Sequence, residues 1–143
     1  MAYIHSEGVA HLDLKPGNVM IANEGDAQVV KVADFGEQFD ERGAKNNPYG
    51  THGYMAPEAW HRDYGAPCAK ADVFSFAVIL WELYTQRRPH TGFTQFEPEM
   101  GHTPADTTQW MADKGQRPQI PSPCPVLWSL LVEACWVSRC VYR

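Results

Sequence analysis

His11-Leu12-Asp13-Leu14-Lys15-Pro16-Gly17-Asn18, then Asp34-Phe35-Gly36, then Ala56-Pro57-Glu58: the order of these three strings decides how the chain reads. Singly, each has a plain explanation. Asp13 and Asn18 suit turns and Asp34 suits a helix cap, because short polar side chains bond nearby backbone in such places. Together, in one order and at plausible spacings, the strings argue against chance. Working outward, Met1 to Ser6 reads as the last turn of a helix stopped by Gly8. Val19 to Ala22 and Val29 to Ala33 read as short strands, and the polar, glycine-containing Asn23 to Ala27 as their hairpin turn. A loop rich in glycine and asparagine runs from Asp34 to Glu58.

Beyond it the spacing predicts a helix from Asp72 to about Gln86. Val73, Phe76, Ala77, Leu80 and Tyr84 share one face while Phe74, Val78, Ile79 and Trp81 cover the others, which predicts burial nearly all round. Thr103-Pro104-Ala105-Asp106 carries a capping threonine, a proline at the first helical position and an acid where a capping box needs one, and Gly115 ends that helix. A last helix, about Pro125 to Val137, has its apolar stripe at Val126, Leu127, Leu130, Leu131 and Ala134. Pro118, Pro121, Pro123 and Pro125 keep the segment before it extended.

The chain has 143 residues, room for one domain, and is 44% hydrophobic and 20% charged, as globular proteins are. A net charge of -5 argues against nucleic acid, which calls for a basic stripe. The most apolar stretch, Val73 to Leu83, is about half the roughly 20 residues a bilayer demands and contains Glu82, so no membrane partner is expected. Without a basic, apolar leader or a C-x-x-C pair, Cys68, Cys124, Cys135 and Cys140 are expected as reduced thiols in a cytoplasmic protein. The six histidines show no metal-ligand spacing.

The three strings resemble the H-x-D-L-x-x-x-N catalytic loop, the D-F-G motif and the A-P-E motif of the protein kinases. The resemblance spans residues 1–143 and implies an α+β, mainly α-helical fold: part of the C-terminal (large) lobe of a kinase domain, with a short β-hairpin at the catalytic edge and the small lobe absent. The implied activity is that of a protein serine/threonine kinase, moving the γ-phosphate of ATP to a hydroxyl of a protein substrate with Mg²⁺. By this resemblance Asp13 would accept or orient the hydroxyl's proton and Lys15 would contact the transferred phosphate. Asp34 would be the main Mg²⁺ ligand and Asn18 a ligand to a second ion; such oxygen donors are what Mg²⁺ prefers. Thr51 matches the threonine that serine/threonine kinases bond to the catalytic aspartate and lysine. Glu58 would pair with Arg143, Asp72 would hold the catalytic-loop backbone, and His11 would pack on Phe35 in the hydrophobic spine. Trp81-Glu82-Leu83 and Cys135-Trp136 resemble the tyrosine-kinase-like group of serine/threonine kinases.

There are departures. Leu12 stands where most of the family has an arginine that reads activation-loop phosphate, and no serine or threonine lies between Gly36 and Gly50. Both features predict switching without loop phosphorylation. No glycine-rich phosphate loop, V-A-I-K lysine or partner glutamate is present, so the small lobe would have to be supplied in cis. Positioning can supply roughly 7–11 kcal/mol of a barrier, at about 1.4 kcal/mol per decade of rate, so the chain by itself is expected to be inactive. The alternative is a kinase-like binding module without catalysis, or a truncated gene relic.

Overall fold

A computed structural model of the protein describes residues 1–35, 49–93 and 103–137. Helix α1 (Ala2–Ser6) is one turn long. Gly8, at φ +74°, ends it by donating to the His5 carbonyl, in the left-handed geometry that suits glycine. The His11–Asn18 loop follows and leads into an antiparallel hairpin, β1 (Val19–Glu24) with β2 (Ala27–Val32). The register runs from Val19 opposite Val32 to Glu24 opposite Ala27. Pairing therefore extends further than the expected strands, and the turn shrinks to Gly25 and Asp26, Gly25 supplying a φ of +61°.

After the short α2 (Pro57–Trp60) comes the 17-residue α3 (Ala69–Thr85). It starts three residues before the predicted Asp72, because Cys68 caps it, its sulfur accepting from the Lys70 N–H. Gln86, at φ +55°, closes it. Around α3 the core assembles from Leu12, Leu14, Phe74, Val78, Met111 and Val132. The expectation of burial all round α3 fails on one side. Val73, Phe76 and Leu83 are 40%, 43% and 57% exposed.

Helix α4 (Pro104–Asp113) begins with the predicted capping box: Thr103 accepts from the Asp106 N–H, and the Asp106 carboxylate accepts from the Thr103 N–H. Such a cap contributes about 1 kcal/mol. Helix α5 (Val126–Cys135) packs on α3, but not by the predicted stripe. Val126, Leu127, Leu130, Leu131 and Ala134 all face outward. The inward arc is Trp128, Val132 and Cys135, continued by Trp136, because the Trp128 ring lies against Tyr84 of α3 at 6.1 Å. Cys68 is disulfide-bonded, contrary to the expectation of reduced thiols, whereas Cys124 and Cys135 are free. No helix among the described residues is long and apolar enough to cross a membrane.

Candidate active site

One buried carboxylate sets the site. Asp72, on the first turn of α3, accepts from the His11 N–H through Oδ2 and from the Leu12 N–H through Oδ1, each at 2.8 Å. His5 of α1 adds a third contact, Nε2 to Oδ2 at 2.8 Å. The anchorage holds Leu12 at φ +65°, a backbone state that costs an ordinary residue roughly 1–2 kcal/mol. It also drives the Leu12 side chain into the core, where it is 1% exposed. A leucine here is thus a packing residue.

Beyond that anchor, Asp13, Lys15 and Thr51 close a hydrogen-bonded ring. The Lys15 ammonium donates to Asp13 Oδ2 at 2.7 Å and to Thr51 Oγ1 at 2.8 Å; the Thr51 hydroxyl donates to Asp13 Oδ1 at 2.6 Å. Asn18 Nδ2 donates to the Asp13 carbonyl at 2.8 Å and, more weakly, to its Oδ2 at 3.3 Å. Thr51 is placed by Gly50, at φ +102°. A Cβ on Gly50 would lie 2.4 Å from the Leu12 carbonyl oxygen, so glycine is required for this approach. His11 packs on Phe35 with ring centroids 4.9 Å apart, and its Nε2 meets the Ala33 carbonyl at 2.9 Å.

Asp34, at φ +63°, is exposed and lies between Ala33 and Phe35, both of which contact His11. The donor chemistry fits Mg²⁺. The Asn18 amide nitrogen is spent on Asp13, which turns the amide oxygen away from it, and Asp34 offers an exposed carboxylate. One or two such protein oxygens are what Mg²⁺ takes when it also binds phosphates and water. Among the described residues no group of three or more His, Cys, Asp or Glu side chains converges as a metal cage.

Glu58 is buried at the start of α2. Burial pushes its carboxyl above the usual range, opposed by its own backbone N–H and by the charges of Arg117 and Lys70. Its expected partner Arg143 lies outside the described residues, as does the 36–48 segment on which phosphorylation-independent switching rests. Arg117 is a cation acting on Glu58 that the sequence reading missed. It lies over the Phe74 ring at 4.9 Å and donates to the Met111 and Trp136 carbonyls. Also missed was a cluster at the far end of α3, where the Tyr54 hydroxyl donates to Glu82 Oε2 and Arg88 Nη1 donates to Glu82 Oε1 at 3.2 Å. An acid in the apolar second half of α3, six residues before Arg88, was its available signal.

Residues 1–138 match the family model of the protein kinase domain. The chain is 39% identical over 140 residues to the serine/threonine/tyrosine-protein kinase HT1 of Arabidopsis thaliana, covering 95% of this chain and 32% of that protein. It is 36% identical over 139 residues to the serine/threonine-protein kinase STY17 of Arabidopsis thaliana, covering 95% and 22%. To mitogen-activated protein kinase kinase kinase 7 of Drosophila melanogaster it is 32% identical over 139 residues, covering 95% and 19%. The chain belongs to the protein kinase family, and these relatives agree with its tyrosine-kinase-like features. It spans about a third or less of the length of these curated relatives.

Proposed function

We propose that this chain is the catalytic half of a protein serine/threonine kinase, transferring the γ-phosphate of ATP to a serine or threonine hydroxyl of a protein. The observation that carries the reading is the closed ring of Asp13, Lys15 and Thr51. The ring orients the Asp13 carboxylate to take the acceptor hydroxyl's proton, and it holds the Lys15 ammonium where a transferring phosphate would gain from positive charge. Asn18 braces Asp13 from behind. Asn18 and Asp34 are the residues that would hold Mg²⁺, which when bound neutralises phosphate charge. Residues 1–143 are then a partial kinase domain. With no glycine-rich loop or V-A-I-K lysine in the sequence, ATP would be gripped from one side only.

The test is a chimera in which the small lobe of the HT1 kinase is joined ahead of Met1, assayed for transfer of labelled phosphate from ATP to casein. The chimera should transfer label while the 143-residue chain alone does not. Asp13→Asn should cost about 10²–10⁴ in rate, the usual worth of a positioned acid–base group. Thr51→Ser should retain far more activity than Thr51→Ala, because serine keeps the hydroxyl that closes the ring. A folded chimera with no transfer would sink the enzymatic reading and leave the binding-module reading standing.

A further inference from the structure

Two hollows share Arg88 near the end of α3, the larger of them lined in part by Thr51. The larger, about 520 Å³, is walled by residues 50–54, by Arg88, Pro89 and His90, and by Pro104. The smaller, about 270 Å³, is walled by Pro16, Glu82, Leu83, Gln86, Arg87 and Arg88. Arg88 lines both. Among the described residues Glu82 is the single carboxylate lining either hollow, and both its oxygens are engaged, one by Tyr54 and one by Arg88. Arg87 has no ion pair among the described residues. His52 and His90 add imidazole groups to the larger hollow. A chain of net charge -5 thus presents Arg87, a cation without an ion pair among the described residues, on the wall of the smaller hollow.

We propose that these hollows receive an acidic side chain of the peptide flanking the acceptor hydroxyl, with Arg87 and Arg88 as the specificity-determining residues. The role of that peptide as a phosphate acceptor rests on the kinase reading; the charge preference does not. By capping Glu82, Arg88 hides the one group that would attract a basic residue. Opposite charges at a partly exposed subsite select by repelling the wrong partner as well as by attracting the right one.

The experiment is fluorescence anisotropy on the full 143-residue chain with three labelled serine-centred peptides, flanked by glutamate, by lysine or by phosphoserine. The glutamate peptide should bind about fivefold more tightly than the lysine peptide at low salt, the upper range for one partly exposed charge pair. That margin should shrink as salt rises. Arg88→Ala should uncap Glu82 and reverse the order, and the exposed Arg87→Glu should reduce the preference with an unchanged circular-dichroism melt. Equal or tighter binding of the lysine peptide, or binding of none of the three, overturns the proposal. Preference for phosphoserine alone also overturns it, in favour of a phosphate subsite. The same peptides offered to the chimera separate the two readings. Transfer without charge preference sinks this inference and keeps the kinase, whereas acidic preference without transfer does the reverse.

Discussion

Tyr54 shows how one hydroxyl couples the substrate side of the site to α3. Burial first, and then the neighbouring Glu82, push its phenol up to about 12, with Arg88 opposing. An unfolded tyrosine ionises near 10, so at alkaline pH the unfolded state loses this proton first. The stability the protonated phenol contributes is fully present below about pH 10 and is lost as the pH rises through about 12. Tyr54→Phe removes the titrating group. Its urea midpoint should therefore fall less between pH 10 and 12 than that of the parent chain. Parallel profiles would mean that the phenol titrates alike in both states. Nothing near Tyr54 in the sequence announces this, because Glu82 lies 28 residues away.

At the scale of elements, the anchor between α3 and the His11–Asn18 loop dominates. Asp72→Ala would strand two buried N–H groups and release the left-handed Leu12, for a loss of about 2–5 kcal/mol in urea unfolding. Asp72→Asn keeps one acceptor oxygen and should lose less; equal losses would show that the carboxylate's second oxygen contributes nothing. Local signals served well where the physics is local. Thr103 and Asp106 lie within one turn and are legible as a capping box, and the first two strings hold Asp13, Lys15, Asn18 and Asp34 of the candidate site. The same kind of reading failed on α5, whose sequence carries two apolar arcs. Five aliphatic or small residues favoured one arc, while Trp128 and Trp136 offered more area on the other, and area won. The His5–Asp72 contact joins residues 67 apart and leaves no periodic trace.

For the molecule as a whole, the outcome of α5 has a cost. Val126, Leu127, Leu130 and Leu131 form a contiguous outward face, with Leu127 82% exposed, and α3 adds Val73, Phe76 and Leu83. Apolar surface of this kind drives association. The double variant Leu127→Glu with Leu130→Glu should raise the concentration at which light scattering detects aggregates. Its unfolding free energy should stay within about 0.5 kcal/mol, as expected of exposed positions. A large loss of stability would show that these leucines face the core after all.

The Asp72 carboxylate has one more consequence. Loop amides ordinarily trade their hydrogens for deuterium within seconds, because loops open on their own. Those of His11 and Leu12 are held by a side chain rooted in α3, nine of whose 17 residues are buried. Their exchange should wait for α3 itself to open, so a loop beside the Asp13–Lys15–Thr51 ring would carry the slow clock of the core, and heat would extinguish the site and the fold in a single event.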